Sequence, residues 1–320
     1  MMENGRVQLE NVITSIEKAV VGKTREVELS LVALLADGHI LLEDVPGVGK
    51  TMMVRAIAKA VGADFKRIQF TPDLLPSDVT GVSIFNQKTM SFEFRPGPVM
   101  ANIVLADEIN RTSPKTQAAL LEALEEGSVT VDGDTRLLPK PFFVMATQNP
   151  IEYGGTYPLP EAQLDRFLFK LKLGYPSEAE ELEVLKRVQG EHPIEAITPV
   201  LTLEQLRAMQ EEVKKVYVDD SIKSYLVAIV NKTRSHNDVH LGVSPRGSIA
   251  LMKAAQAYAY LRGRDFVLPD DIKELATYTL AHRMIVRNDI SLSDVRAEDI
   301  IAEILNQVKV PVAGKETIRR

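Results

Sequence analysis

The amino-acid sequence predicts an α/β fold with a central parallel sheet, followed by an all-helical C-terminal domain. Short apolar stretches of strand type alternate with helix-forming stretches as far as residue 173, and from Pro176 onward only helical patterns recur. At 320 residues the chain has room for two domains of ordinary size. We therefore predict an α/β domain over residues 1–175 and a helical domain over residues 176–320.

The composition excludes several classes of protein. Hydrophobic residues make up 45% of the chain and charged residues 26%, the balance of a soluble globular protein without a membrane-length apolar run. The charged N-terminal stretch lacks the apolar core of a signal peptide, so we expect a cytoplasmic protein. The absence of cysteine excludes disulfides, thiolate zinc sites and cysteine nucleophiles.

The charge balance bears on possible partners. A net charge of −6 counts against a surface built for bulk nucleic-acid binding, so no nucleic-acid partner is expected. Basic doublets such as Lys66-Arg67 are scattered among carboxylates, and we interpret them as solvated faces of helices or loops.

The first elements lead to a loop with the features of a phosphate-binding site. Two helices are predicted over residues 9–19 and 25–36. A strand at residues 40–43 then enters a loop with one proline and two glycines, which ends in Lys50 and Thr51. Glycines let backbone N–H groups turn toward an anion, the lysine reaches the outer phosphates, and the threonine hydroxyl can hold Mg²⁺. The residues that we assign to cofactor binding here are Val45, Pro46, Gly47, Val48, Gly49, Lys50, Thr51 and Met52.

This loop departs from the usual pattern at one position. Asp44 stands where G-x-x-x-x-G-K-[ST] has its first glycine. For this string taken alone, an ordinary turn before a helix is therefore the alternative. The stretch that follows, residues 52–61, has apolar residues at helical spacing.

Two hairpins are predicted within the first domain. Residues 79–95 alternate between apolar and polar types, and we expect Phe85, Phe92 and Phe94 to pack this hairpin rather than to contact a ligand. Residues 129–138 alternate around an Asp-Gly dipeptide, which is typical of a two-residue turn.

Two apolar strands of the first domain end in polar side chains. Residues 102–105 run into Asp107 and Glu108, and residues 142–146 are followed closely by Asn149. The carboxyl ends of parallel strands form the ligand-binding edge of α/β sheets, so we expect these side chains to face the phosphate loop. There Asp107 can hold Mg²⁺ and Glu108 can orient an attacking water. A strand followed by a charged turn is the structural alternative.

Four strings of the sequence carry a resemblance to a known family. They are LLEDVPGVGKT, LADEINRTSPKTQAALLEALEEG, ATQNPIEYGGTYPLPEAQLDRFLFK and GVSPRG. On these motifs the chain resembles the MoxR family of AAA+ ATPases over nearly its whole length, and the departure at Asp44 is usual in that family. The resemblance implies an AAA+ P-loop domain with a C-terminal helical lid, using ATP and Mg²⁺.

The resemblance also implies roles for single residues. Lys50 and Thr51 match the Walker A lysine and Mg²⁺ ligand, and Asp107 and Glu108 match the Walker B pair. Asn149 matches the polar sensor that positions the attacking water.

Two arginines within these strings have matches as well. Arg166 matches the arginine finger given to a neighbouring subunit, and its alternative is an ion pair with Asp165 or another nearby carboxylate. Arg246 matches a lid arginine that touches the γ-phosphate, and its alternative is surface charge at a helix N-terminus. Val21 and Gly22 would lie near the adenine.

At the level of the whole protein, the resemblance implies a ring, expected to be a hexamer, that remodels or activates protein clients, among them proteins with von Willebrand factor A domains. An insert over residues 71–98 and the hairpin over residues 128–140 would line its central face. Two alternatives are a nucleic-acid motor of the same architecture and an ATP-gated scaffold with little turnover. His236 and His240 have the spacing of metal ligands on a helix, but the Asn-Asp between them indicates a turn, so we expect no metal site there.

Overall fold

The structure is a computed structural model, and it describes residues 2–45, 47–150, 156–188, 193–287 and 295–311. The chain divides into two compact units, residues 1–213 and 214–320. In the part of the chain that the structure describes, no helix has both the length and the apolar character needed to cross a membrane.

The first unit contains eight helices and nine strands within its described residues. The helices are α1 (Met2–Glu17), α2 (Thr24–Leu35), α3 (Lys50–Ala60), α4 (Pro76–Thr80), α5 (Pro114–Glu126), α6 (Glu161–Leu164), α7 (Glu178–Val188) and α8 (Leu203–Val213). The strands are β1 (Ile40–Glu43), β2 (Phe65–Gln69), β3 (Gly81–Asn86), β4 (Ser91–Pro96), β5 (Ile103–Asp107), β6 (Ser128–Val131), β7 (Asp134–Leu137), β8 (Phe143–Gln148) and β9 (Phe169–Leu171). Short 3-10 helices span Pro98–Met100, Ile109–Arg111 and Pro193–Ala196.

A five-stranded parallel sheet forms the centre of this unit, which confirms the predicted α/β fold. Its strand order is β2-β5-β8-β1-β9, and each pair of neighbours is parallel. Ala106 of β5 pairs with Ala146 of β8, and Glu43 of β1 pairs with Gln148 of β8. The strands therefore end at a common edge. The two predicted hairpins form separate antiparallel pairs, β3 with β4 and β6 with β7.

Both faces of the central sheet are covered, as the continuous apolar runs of its strands require. Val104 and Ala106 of β5 join an apolar cluster with Leu120 and Leu124 of α5. The other residues of β5 point to the opposite face because side chains alternate along a strand. These residues are buried too. Packing on both faces holds the strand ends, and hence the side chains that follow them, in place.

The compact division after residue 213 comes later than the change of pattern near Tyr175. That change marks where strands stop, but α7 and α8 belong to the first unit. Helix α8 packs on α2, where the buried Gln210 donates a hydrogen bond of 2.7 Å from Nε2 to the Leu34 carbonyl. The end of strand-helix alternation and the end of a compact unit are thus different features of this chain.

The second unit is dominated by helices, as predicted. Its elements are α9 (Asp220–Ser235), β10 (Val239–Leu241), α10 (Pro245–Leu261), α11 (Pro269–Leu280), a 3-10 helix (Ala281–Arg283), β11 (Ile285–Val286) and α12 (Ala297–Gln307). The sequence predicts one helix over residues 270–286, but α11 ends at Leu280, and a 3-10 helix and then β11, which pairs antiparallel with β10, follow it. Strands of two or three residues are too short to show alternation, so the pattern missed this pair.

A buried histidine at the start of β1 makes the stability of the first unit depend on pH. The His39 ring is buried; its Nδ1 accepts a hydrogen bond of 3.2 Å from the Val144 N–H, so its Nε2 carries the proton and donates to the Leu124 carbonyl at 3.2 Å. Burial lowers the pKa of His39 from 6.5 to about 4, against the opposing effects of that carbonyl and of Asp37. The folded chain therefore keeps this ring neutral where the unfolded chain protonates it.

We expect this histidine to lower stability in acid. The pKa of His39 is lower in the folded state than in the unfolded state, so the contribution of the neutral ring to the free energy of unfolding is complete above pH 6.5. This contribution is lost as the pH falls toward 4, and the loss is about 3 kcal/mol. Urea unfolding at a series of pH values measures it. A His39→Gln variant should lose this part of the pH dependence, whereas the exposed control His240→Gln should keep it. An unchanged pH profile in His39→Gln would contradict the assignment.

Candidate active site

The loop between β1 and α3 has the backbone of a phosphate-binding turn. Gly47 has φ of +88° and Gly49 has φ of +93°, values that residues other than glycine rarely adopt. Helix α3 begins at Lys50, so its N-terminal N–H groups and the positive end of its dipole point into the loop. Thr51 lies in the first turn of this helix. Pro46, assigned to the loop from the sequence, lies outside the described residues.

The Lys50 ammonium lies inside this loop among carboxylates. Lys50 is 9% exposed, and its Nζ donates a hydrogen bond of 2.9 Å to the backbone carbonyl of Asp44. Burial lowers the pKa of Lys50, and the charges of Asp107, Asp44 and Glu108 oppose that shift. The structure therefore brings the phosphate loop together with the two carboxylates at the end of β5.

A buried threonine holds the Asp107 carboxylate and the backbone of Glu108. Thr147, near the end of β8, donates a hydrogen bond of 2.7 Å from Oγ1 to Asp107 Oδ1 and accepts one of 2.8 Å from the Glu108 N–H. Glu108 has a left-handed backbone with φ of +58°, which turns the chain sharply away from the strand. Sequence reasoning missed Thr147; its position in an apolar strand, two residues before Asn149, was the available signal.

Strand β2 contributes two further polar side chains to the same edge. Arg67 donates to Asp107 Oδ2 from Nε at 3.1 Å and from Nη2 at 2.5 Å, and Gln69 donates to Glu108 Oε2 from Nε2 at 2.7 Å. Arg111 donates to the same Glu108 oxygen at 3.1 Å. The doublet Lys66-Arg67 lies on strand β2 and not on a helix or loop as predicted. Arg67 is exposed, as expected of a solvated residue, and it also pairs with Asp107 because β2 is the neighbour of β5 in the sheet.

Asn149 lies beside these groups because β8 is the neighbour of β5 in the sheet. Asn149 is 6% exposed, and its backbone carbonyl accepts a hydrogen bond of 3.2 Å from Asn110 Nδ2. Asn110 follows Glu108 in the chain, so the two strand ends are tied together at this point.

The two candidate arginines lie in different places. Arg166 forms an ion pair with Glu125 of α5 and donates a hydrogen bond of 2.9 Å to the Leu121 carbonyl. The ion-pair alternative for Arg166 is therefore present in the chain, with Glu125 as the partner. Arg246 is exposed in the first turn of α10, in the second unit.

A cleft of about 260 Å³ opens beside the phosphate loop. It is mostly apolar, and Val21, from the segment predicted to lie near adenine, lines it. Its lining residues are Ala19, Val20, Val21, Lys23, Gly47, Val48, Gly49, Met52, Leu173, Pro176, Val184, Arg187 and Pro193. Gly22, next to Val21, has φ of +70°, and a Cβ there would lie 1.9 Å from Glu180 Oε1, so the chain needs glycine at this turn.

The oxygen groups at this edge suit a hard cation. The Asp107 carboxylate accepts two N–H bonds on Oδ2 and one hydroxyl bond on Oδ1, which leaves acceptor capacity on Oδ1. Carboxylate and hydroxyl oxygens are the ligands that Mg²⁺ takes together with phosphates. Among the described residues, no group of three or more His, Asp or Glu side chains could hold a metal by itself. Asp107 thus keeps an open acceptor position for a cation, and the assignment of Thr51 and Asp107 as Mg²⁺ ligands stays a prediction.

Comparisons with known proteins agree with this arrangement. Residues 39–169 match the family of ATPases associated with various cellular activities (AAA), and residues 231–304 match the AAA lid domain. The chain is 68% identical over 300 residues to the uncharacterized protein YeaC of Bacillus subtilis, covering 94% of each protein. It is 44% identical over 312 residues to the chaperone MoxR1 of Mycobacterium tuberculosis, covering 95% of this chain and 82% of that one.

A solved structure extends the likeness to three dimensions. The crystal structure of a proposed ATPase from Cytophaga hutchinsonii matches with a TM-score of 0.91 at 40% identity, over 97% of each chain. Together, the fold and the two AAA modules define this chain as an AAA+ ATPase, a nucleotide-binding enzyme. Because the identity to MoxR1 extends over nearly all of this chain, the chain belongs to the MoxR family of AAA+ ATPases.

Proposed function

We propose that this chain hydrolyses ATP in a Mg²⁺-dependent reaction within a homohexameric ring and uses the cycle to remodel or activate protein partners. The observation that carries the proposal is the placement of Lys50, which follows β1, and of Asp107 and Glu108, at the end of β5, at one edge of the parallel sheet, beside an apolar cleft. An ammonium for phosphates, a carboxylate for a cation and a second carboxylate for water are the groups that phosphoryl transfer to water requires.

Each side chain then has a separate task. Backbone N–H groups of the loop at residues 47–49 and the Lys50 ammonium bind the phosphate chain, and the cleft holds the adenine against Val21 and Gly22. Thr51 and Asp107 would hold Mg²⁺, and the bound ion would supply positive charge beside the phosphates. Glu108 accepts hydrogen bonds from Gln69 and Arg111, and it orients the attacking water.

Three residues complete the reaction centre in this proposal. Asn149 positions the water from the neighbouring strand end. Arg166 reaches the nucleotide of an adjacent subunit, and Arg246 of the helical lid reaches the γ-phosphate. Charge on the γ-oxygens spreads in the transition state, so guanidinium groups delivered there stabilise it. We propose the lid as residues 176–320 and the nucleotide-binding domain as residues 1–175.

Exposed apolar side chains on the two hairpins support the proposal that the client is a protein. Phe85 and Phe92 stack edge to face at 5.4 Å, yet Phe92 is 74% exposed and Leu137 of the other hairpin is 80% exposed. The Arg136 guanidinium lies over the Phe94 ring at 4.1 Å, which joins the two hairpins. Exposed apolar side chains of this size favour contact with another protein. MoxR1 is named a chaperone, and clients with von Willebrand factor A domains remain part of our proposal.

Replacing Lys50 with alanine tests the assignment of the loop. We expect ATP affinity to fall by at least about tenfold, because the buried ammonium is lost from the phosphate site. Calorimetric titration with ATP, with and without Mg²⁺, measures both the loss and the cation dependence. Lys115→Ala, which removes an exposed lysine from the first turn of α5, serves as the control. Unchanged ATP binding in Lys50→Ala would overturn the assignment.

Three measurements separate this function from its alternatives. Phosphate release that rises with a protein partner supports a remodelling ATPase, whereas ATP-dependent assembly without turnover supports a scaffold. Salt-dependent DNA binding that stimulates hydrolysis would instead favour a nucleic-acid motor.

A further inference from the structure

Asp44 makes contacts that a glycine at this position of the loop could not make. The residue is 7% exposed, and its carboxylate accepts hydrogen bonds from two successive backbone N–H groups, those of Leu173 and Gly174. The bond from Gly174 measures 3.1 Å. Hydrogen bonds to an ionised acceptor are stronger than neutral ones. Asp44 therefore ties the start of the phosphate loop to the segment that follows β9.

The segment held by Asp44 is a wall of the apolar cleft. Leu173 and Pro176 line the cleft, and Leu173 is 4% exposed. From the opposite side, Lys23 donates a hydrogen bond of 2.6 Å from Nζ to the Leu173 carbonyl, and Lys23 lines the cleft as well. The N–H of Leu173 is thus held by the phosphate loop and its carbonyl by the loop at residues 20–23.

Electrostatics alone would disfavour a carboxylate here. A negative charge at the entrance of a phosphate loop repels the anion that the loop binds. In this chain the carboxylate is turned toward the N–H groups of residues 173 and 174, while its backbone carbonyl accepts from Lys50 at 2.9 Å. The side chain is therefore directed to the wall of the cleft and the main chain to the phosphate side.

We propose that Asp44 is a positioning residue that sets the base-binding wall of the cleft relative to the phosphate loop. It thereby controls affinity for a ligand that carries both a base and phosphates, and has little effect on phosphates alone. The inference rests on the proposed function only in taking this cleft and loop as the nucleotide site. The partner residue in this arrangement is Lys23, which holds the same segment from the other side.

The test uses the variant that restores the general loop pattern. Asp44→Gly removes the carboxylate, Asp44→Asn keeps one acceptor oxygen, and Lys23→Met breaks the second link. Calorimetry measures the affinity of each full-length variant for ADP and for inorganic tripolyphosphate. We expect Asp44→Gly to bind ADP at least about tenfold more weakly while its tripolyphosphate affinity stays within about twofold or rises. Asp44→Asn should recover part of the loss, and Lys23→Met should change ADP affinity in the same direction as Asp44→Gly.

A destabilised control separates positioning from folding. Leu206→Ala truncates a buried residue of α8 away from the cleft, so it should lower the melting temperature and leave the ratio of the two affinities unchanged. If Asp44→Gly does not fold, the inference is tested by the ratio of ADP affinity to tripolyphosphate affinity in Asp44→Asn and Lys23→Met.

Three outcomes would overturn the inference. These are, for Asp44→Gly, an equal loss of affinity for ADP and for tripolyphosphate, an unchanged affinity for ADP, and a gain in affinity for ADP caused by removal of the charge. A wrong assignment of the nucleotide site would give a different result, because Lys50→Ala would then bind ADP and tripolyphosphate as tightly as the parent does.

Discussion

Replacing Glu108 with glutamine is expected to leave ATP binding within about twofold of the parent and to slow hydrolysis by 10² to 10⁴, the range for losing a positioned general base. The amide has the size of the carboxylate and keeps an oxygen that can accept from Gln69 and Arg111, which donate to Glu108 Oε2 at 2.7 and 3.1 Å. The loop that binds phosphate is not touched. Phosphate release at saturating ATP, beside calorimetric ATP affinity, separates the two effects.

A glutamate elsewhere in the first unit provides the control for this variant. Glu126→Gln makes the same chemical change at an exposed position at the end of α5 and should leave turnover unchanged. Turnover of Glu108→Gln within twofold of the parent would show that another group orients the water.

The same variant is also a tool for finding the client. A protein that binds ATP but does not hydrolyse it should hold its partner, so Glu108→Gln should retain with ATP a protein that Lys50→Ala does not retain. Release of that protein when ATP is removed would tie its capture to the nucleotide cycle.

Replacing Arg166 with alanine is expected to leave ATP binding near normal and to reduce hydrolysis by on the order of 10³ or more, as for a finger arginine delivered in trans. Within its own chain, Arg166 pairs with Glu125 and donates to the Leu121 carbonyl at 2.9 Å. A purely structural ion pair would therefore also be disturbed by this substitution, and loss of activity alone does not separate the two roles.

Glu125→Gln separates them, because it removes the ion pair and keeps the arginine. If Arg166 acts on the nucleotide of a neighbour, Glu125→Gln should hydrolyse ATP at least as fast as the parent. If Arg166 serves only as an ion pair, Glu125→Gln should reproduce the loss. Melting temperatures of both variants show how much the ion pair contributes to stability, which for a partly exposed pair is small.

Mixing two inactive proteins tests the subunit boundary directly. Lys50→Ala retains its arginine but loses its nucleotide, whereas Arg166→Ala retains its nucleotide but loses the arginine. Mixed rings contain interfaces where an intact loop meets an intact arginine, so part of the activity should return. No recovery in mixed rings that native mass spectrometry has verified would place Arg166 in its own subunit's chemistry or in a structural role.

Local sequence patterns determined most elements of the fold and the main groups of the candidate site. Gly47 and Gly49 indicate a turn that needs positive φ. The apolar strand that ends at Asp107 indicates carboxylates at an edge of the sheet. These signals are readable because backbone conformation and side-chain periodicity depend on residues that are close in the chain. The catalytic roles given to the site residues stay predictions: Lys50, Asp107, Glu108, Asn149, Arg166 and Arg246.

Only the tertiary structure decided which distant residues meet. The order β2-β5-β8 places Arg67 and Thr147 on the two oxygens of Asp107, although each lies 40 residues from it in the chain. Because α8 packs on α2, the first compact unit extends beyond its last strand, β9, to residue 213. Asp44, a mismatch when read as a pattern, meets Leu173 because β9 lies beside β1. Such contacts follow from strand order and register, which no window of neighbouring residues specifies.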